Sequence, residues 1–93
     1  MIASFANRET EALFRLQRVK RIDLSVQRAT VKKLWMLEAA ANVADLKEPP
    51  GNRLESLKGD RAGQYSIRVN DQWRIVFTWR NGQAHDVELV DDH

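Results

Sequence analysis

The chain has 93 residues, a formal net charge of +2 and no cysteine. This length allows one small core and predicts a single domain over residues 1–93. The lack of cysteine excludes a disulfide framework and a thiolate metal site, and so small a net charge argues only weakly for nucleic acid. The polar residues directly after Phe5 argue against a signal peptide, and no apolar run approaches membrane-spanning length. We therefore expect a cytoplasmic protein with no membrane partner.

The first half of the chain has a helical pattern. Ile2 to Phe5 is a short apolar run that predicts an edge strand, and Asn7 is a suitable N-cap for a short helix containing Phe14. A longer helix is predicted from Asp23 or Ser25 to about residue 41, because apolar side chains recur there at helical spacing. Its buried stripe is Val26, Thr30, Leu34, Leu37 and Ala41.

Five cations accompany these helices: Arg18, Lys20, Arg21, Lys32 and Lys33. Lys32 and Lys33 fall largely off the apolar stripe, so one interpretation is the solvated basic face of an amphipathic helix. The other interpretation is a docking surface for a large polyanion. The sequence leaves both open.

The pattern changes after the turn at Pro49-Pro50-Gly51-Asn52, which cannot continue a helix. Apolar residues then alternate with polar ones, which predicts half-buried antiparallel strands around Tyr65 to Val69 and Trp73 to Trp79. Asn81-Gly82 predicts a tight hairpin that leads to a last strand from Asp86 to Val90. The expected fold is α+β, with two N-terminal helices packed on one face of a small, mainly antiparallel sheet. Phe14, Leu34 and Leu37 are expected to meet the apolar face of that sheet.

The register of the first long hairpin carries the main inference. A three-residue loop, 70–72, would pair Ile67 with Ile75 and set Arg68 opposite Arg74 on the other face. Directly opposed like charges are destabilising, so the arrangement predicts an anion between the two arginines. The alternative is that Glu88, on the last strand, neutralises Arg74 within the protein.

A histidine and an aspartate close the chain. His93 can accept or donate a proton near neutral pH, and Asp91 can orient it or take the proton. The alternative is an inert, frayed terminal residue. His85 is expected at the surface, and neither histidine has a partner at metal-ligand spacing, so we predict no metal and no cofactor. Cations on neighbouring strands with a terminal histidine predict a site that holds a phosphodiester and moves protons on it.

Four ordered motifs resemble the HigB branch of the RelE/ParE toxin superfamily. The first runs from Pro50 to Arg61 and contains Leu57-Lys58-Gly59-Asp60, and the others are Ser66-Ile67-Arg68-Val69-Asn70, Gln72-Trp73-Arg74 and Asp91-Asp92-His93. The resemblance covers essentially the whole chain. It implies a microbial-ribonuclease-like toxin fold, cleavage of mRNA on the translating ribosome, and neutralisation by a HigA-like antitoxin with a helix-turn-helix.

The resemblance also implies roles for particular residues. Lys58 matches the family's catalytic lysine, Arg74 its phosphate-contacting arginine, and Asp91 and His93 its terminal aspartate and histidine. Arg61 and Arg68 are further candidates for phosphate contact. Two positions depart from the pattern: Asp92 stands where members commonly have tyrosine, and Glu55 stands where some have histidine.

Two other functions stay open at this point. The ParE branch is similar in fold but poisons DNA gyrase by binding it, and the terminal Asp-x-His motif argues against that function. An RNA-binding module without catalysis would keep the same cations and would not require His93.

Overall fold

A computed structural model describes residues 1–61 and 63–91. It contains two α-helices, α1 (Arg8–Phe14) and α2 (Leu24–Ala39). Four strands follow in the order β1 (Glu55–Ser56), β2 (Gln64–Arg68), β3 (Trp73–Arg80) and β4 (Gln83–Asp91). They form one antiparallel sheet in which each strand pairs with the next along the chain. The predicted α+β architecture is confirmed.

Both predicted helix starts are confirmed by capping contacts. The Asn7 side chain accepts a hydrogen bond from the Thr10 backbone N–H at 2.9 Å, and Asp23 accepts one from the Ser25 N–H at 3.0 Å. The hydrogen bonds from Ser25 also lower the pKa of Asp23. Helix α2 ends two residues earlier than expected, because the backbone of Ala40 is extended. Ala40, rather than Ala41, is therefore the buried residue at this end.

The N-terminal segment lies along the outer edge of β4, but it does not form a regular strand. Ile2 and Phe5 make single parallel bridges to Ala84 and Val87. Between these two points β4 has an irregularity at Asp86, whose φ is +52°, and the register with β3 shifts there. A bulge of this kind interrupts regular pairing, which accounts for isolated bridges where an edge strand was expected.

The last strand begins at Gln83, three residues before the predicted start. Asn81 and Gly82 both have positive φ, +55° and +75°, which is the geometry of a two-residue hairpin turn. Because the turn is so short, Arg80 and Gln83 pair directly across it. The predicted turn is confirmed, and the strand prediction was too short.

The predicted register of β2 and β3 is confirmed, with Tyr65 opposite Phe77, Ile67 opposite Ile75 and Arg68 opposite Arg74. One face of the sheet therefore packs on the helices. The core between the sheet and the helices contains the fully buried Ile67, Ile75, Phe77, Leu34 and Leu37. Partly buried against this core are Tyr65, Trp73, Trp79 and Phe14. The opposite face, which we call the open face, carries the alternate residues. Within the described residues, no helix is long and apolar enough to cross a membrane.

A candidate phosphate-binding pocket on the open face of the sheet

A pocket of about 220 Å³ lies on the open face of the sheet. Its lining residues come from all four strands and from the turn after β1: Glu55, Leu57, Arg61, Ser66, Arg74, Val76 and Val90. The pairing explains why they meet. Glu55 is opposite Ser66, Ser66 is opposite Val76, and Arg74 is opposite Val90, so these side chains share one face.

One wall of the pocket depends on a sharp turn. Strand β1 is only two residues long, and a 3₁₀ turn over Gly59–Arg61 follows it. Gly59 has a φ of +68°, a conformation that glycine adopts without steric cost. The turn is closed by a hydrogen bond from the Arg61 N–H to the Lys58 carbonyl at 3.3 Å. As a result Arg61 lines the pocket, and the exposed Lys58 directly follows the lining residue Leu57.

The guanidinium of Arg74 is the most firmly held charge in the pocket. Its Nε donates to the Ser66 hydroxyl at 2.9 Å, and its Nη2 donates to the Arg53 carbonyl at 2.9 Å and to the Ser66 carbonyl at 3.4 Å. The side chain is only 12% exposed. These acceptors hold the guanidinium in one orientation at the wall of the pocket, so it needs little reorganisation to stabilise an anion that enters.

Glu55 is a carboxylate beside Arg74. Its Oε1 lies 3.9 Å from Arg74 Nη2, and its side chain is 61% exposed, so the pair is loose and solvated. The sequence interpretation considered Glu88 instead. In the structure Glu88 lies opposite Val76, and its Oε2 is 3.5 Å from the Asn7 amide that donates to it. The two-residue strand that positions Glu55 is too short to be recognised from an alternating pattern.

Arg68 is opposite Arg74 in the register, but the two side chains have separate partners. Arg68 forms an ion pair with Asp71 in the loop between β2 and β3. Its charge also helps to lower the pKa of Lys33, after the larger effect of burial, which places Arg68 near α2. The described residues that line the pocket do not include Arg68, and the anion expected between the two arginines stays a prediction.

Asp91 lies opposite Trp73, whereas Arg74 lies opposite Val90. Alternation therefore turns Asp91 toward the helix side of the sheet, at the end of β4. Its carboxylate accepts a hydrogen bond from Gln72 Nε2 at 3.1 Å. The pKa of Arg21 is raised, mainly by its hydrogen bond to Glu9 and to a smaller extent by the charge of Asp91. Asp92 and His93 lie outside the described residues, so the proposed proton-transfer role of His93 stays a prediction.

The cations predicted on the helical half are not among the described residues that line the pocket. Lys20 and Lys32 are exposed, Arg21 forms an ion pair with Glu9, and Lys33 donates to the side-chain oxygen of the buried Asn52. Burial lowers the pKa of Lys33.

His85 differs from its expected surface position. It is half-buried, and its Nε2 has no hydrogen-bond partner among the described residues. Within residues 1–61 and 63–91, no three histidine, aspartate, glutamate or cysteine side chains are grouped closely enough to hold a metal ion.

Solved structures place this fold among known toxins. The chain is similar to one chain of the YoeB-YefM complex from Staphylococcus aureus, with a TM-score of 0.64 and 15% sequence identity, over 100% of this chain and 98% of that chain. It is also similar to a variant of YafQ from E. coli, with a TM-score of 0.67 and 12% identity, over 98% of this chain and 93% of that chain. At these identities the likeness shows the fold alone, which is that of the RelE-like toxins.

The sequence comparisons identify the family. Residues 3–93 match the model of the HigB-like toxins, described as RelE-like toxins of the type II toxin-antitoxin system HigB. The chain is 44% identical over 73 residues to Toxin HigB-1 of Vibrio cholerae, covering 78% of this chain and 77% of that protein. It is 30% identical over 93 residues to Endoribonuclease HigB of Proteus vulgaris, covering 100% of both. The chain belongs to the HigB-like toxin family.

Proposed function

We propose that this toxin is an endoribonuclease that cleaves mRNA on the translating ribosome. The observation that carries the proposal is the position of Arg74, fixed by Ser66 and by the Arg53 carbonyl in a pocket that also contains Arg61 and Glu55. A preorganised guanidinium is suited to a phosphate oxygen, because hydrogen bonds between a charged donor and a charged acceptor are short and strong. Family membership and the name of the Proteus vulgaris relative support RNA cleavage as the reaction.

The proposed reaction is an internal transesterification. The 2′-hydroxyl of one nucleotide attacks the adjacent phosphorus, a new P–O2′ bond forms, and the bond to the 5′-oxygen breaks. The protein must accept the proton of the 2′-hydroxyl, stabilise the extra negative charge on the phosphate, and give a proton to the leaving 5′-oxygen. We assign the charge stabilisation to Arg74 and Lys58, with Arg61 and Arg68 as further phosphate contacts.

We assign proton transfer to His93, with Asp91 as its orienting group or as the second proton acceptor. Val90 lines the pocket and stands three positions before His93 in the sequence. Three residues span at most about 10 Å, and this short distance along the chain supports the assignment. Glu55, 3.9 Å from Arg74, is the alternative proton acceptor.

The partners follow from this proposal. The substrate is translated mRNA in the decoding site, where the ribosome completes the positioning of the nucleotides, so the toxin acts in the cytoplasm. Lys20, Arg21, Lys32 and Lys33 would contact ribosomal RNA from the helical side. The neutralising partner would be a HigA-like antitoxin with a helix-turn-helix. We assign no metal and no cofactor to the reaction.

Primer extension on a defined mRNA tests the proposal. The message is incubated with purified ribosomes, with and without the toxin, and also with the toxin in the absence of ribosomes. We expect new 5′ ends within codons only when both ribosomes and toxin are present. Intact message in all samples would contradict the proposal, and inhibition of DNA gyrase in a parallel supercoiling assay would then favour a ParE-like function.

A further inference from the structure

A second concave surface lies on the helical side of the molecule, away from the pocket. It is a groove of about 400 Å³ between the end of α1, the segment that follows it, and the outer side of α2. We call it the helical groove. Its apolar part contains Leu16, Leu24, Val31 and Trp35. Leu16, Leu24 and Trp35 are 69%, 43% and 53% exposed, and they are three of the four large apolar side chains that are exposed in residues 1–61 and 63–91.

The backbone conformation of Leu16 suggests that its exposed side chain serves binding rather than folding. The helix α1 ends with hydrogen bonds from the Leu16 N–H to the Leu13 carbonyl at 3.0 Å and from the Gln17 N–H to the Ala12 carbonyl at 2.8 Å. These two hydrogen bonds define a Schellman motif. In this motif the residue after the C-cap has a left-handed backbone and is usually glycine. Here that residue is Leu16, with a φ of +64°. A leucine in this position is strained and exposes its apolar side chain, so the fold alone does not favour it.

The charge around the groove selects the kind of partner. Arg18, Arg28 and Lys32 are the charged residues among those that line it, and all three are cationic. Two copies of this chain that met through this surface would bring like charges together, which disfavours a self-association here. Leu16, Leu24 and Val31 are aliphatic and suited to apolar protein side chains, and Trp35 is the one ring among the described lining residues that could stack on a base.

We propose that the helical groove binds an amphipathic helix of an acidic protein partner. Apolar side chains spaced i, i+4 and i+7 on that helix would fill the space between Leu16, Leu24 and Trp35, and glutamate or aspartate beside them would face Arg18, Arg28 and Lys32. The volume is within the range of about 300 to 1,000 Å³ that ordinary binding sites have. The inference concerns protein binding and does not depend on RNA cleavage.

A display library tests the proposal with the full chain as the target. The library presents helical peptides of about 18 residues, or five turns, with a fixed apolar stripe and either glutamate or lysine on the polar face. We expect the glutamate-rich peptides to be enriched. A labelled peptide of this type should lose about tenfold or more in affinity on Trp35→Ala or Leu16→Gly, as measured by fluorescence anisotropy. Arg80→Ala removes an exposed cation that does not line the groove, so it is the matched control and should leave the affinity unchanged.

Leu16→Gly separates binding from folding, because glycine is the residue that the helix ending prefers. We expect an equal or higher Tm together with weaker peptide binding. Equal enrichment of lysine-rich peptides, or unchanged affinity in both groove variants, would overturn the proposal. A dimer in sedimentation that Trp35→Ala dissociates would assign the groove to a second copy instead. Binding of a labelled single-stranded RNA that is lost on Trp35→Ala would assign it to nucleic acid.

Discussion

Ser66 accepts the Nε–H of Arg74 at 2.9 Å and lies on the neighbouring strand, two register positions away from the arginine and on the same face of the sheet. Ser66 is 2% exposed, so its hydroxyl has a fixed place in the floor of the pocket. The cation is thus oriented by a neutral, buried partner. A carboxylate in the position of Ser66 would compete with phosphate for the guanidinium, whereas a neutral hydroxyl orients the guanidinium without adding negative charge.

Ser66→Ala should therefore lower the rate of single-turnover cleavage on the ribosome by roughly tenfold, since one hydrogen bond to a charged group is worth about 1.5 kcal/mol or more. The role of Ser66 is to position Arg74, so its effect should depend on that residue. In an Arg74→Ala background, Ser66→Ala should have no further effect on the rate. Equal and independent losses in both backgrounds would show that Ser66 acts in another way.

Lys58→Ala and Arg74→Ala should each reduce single-turnover cleavage by about 10²- to 10³-fold, because each removes charge that stabilises the transition state. The position of the cut in the message should not change, since neither residue reads the bases. Arg80→Ala is the matched control, because Arg80 is an exposed cation at the hairpin end of β3. A loss for Arg80→Ala equal to that for Arg74→Ala would indicate a general effect of charge.

Ile75→Ala should lower the free energy of unfolding by about 2 to 5 kcal/mol, because Ile75 is fully buried where the sheet meets α2. The exposed Trp35 provides the control, and Trp35→Ala should change the stability by no more than about 0.5 kcal/mol. Denaturant unfolding of the two variants measures both values. An unchanged midpoint for Ile75→Ala would contradict the register on which the pocket depends.

The sequence predicted the sheet register correctly because local rules determine it. Alternating apolar residues and a three-residue loop pair Ile67 with Ile75, and Asn81-Gly82 selects a two-residue hairpin. The starts of the helices could also be predicted from the sequence, since the side chains of Asn7 and Asp23 cap them. These features depend on residues close together in the chain.

The partners of the arginines could not be predicted in the same way. Whether Arg74 contacts Glu55 or Glu88 depends on β1, a two-residue strand with no readable period. The pairing of Arg68 with Asp71 depends on the direction that the Arg68 side chain takes at the end of β2. The helical groove depends on the packing of α1 on α2 and on one left-handed leucine, neither of which a pattern of apolar residues indicates.

The basic residues of the helical side should contribute to ribosome affinity through the release of counterions. Lys20→Glu gives the clearest test, because Lys20 is exposed and is not among the residues that line the helical groove. We expect weaker association and a slope of log affinity against log salt that is smaller by about one. Reversing the charge of Arg21 or Lys33 should also weaken ribosome association. It removes the Arg21 contact with Glu9 or the Lys33 contact with Asn52 as well. Their Tm values must therefore be compared. Unchanged affinity of Lys20→Glu and Lys32→Glu at every salt concentration would return these residues to an ordinary solvated face.

His93→Ala should abolish growth inhibition and reduce single-turnover cleavage on the ribosome by roughly 10²- to 10⁴-fold, the usual contribution of one general acid or base. We expect an unchanged Tm, and its measurement separates a loss of chemistry from a loss of folding. Asp92→Tyr, which restores the tail common in the family, should leave the activity equal or higher, since a ring can stack on a base and a carboxylate repels phosphate. If His93→Ala cleaves at the full rate, the proton transfer belongs to another group. Glu55→Gln and Asp91→Asn then separate the two remaining candidates, and Glu55 is the one that lines the pocket beside Arg74.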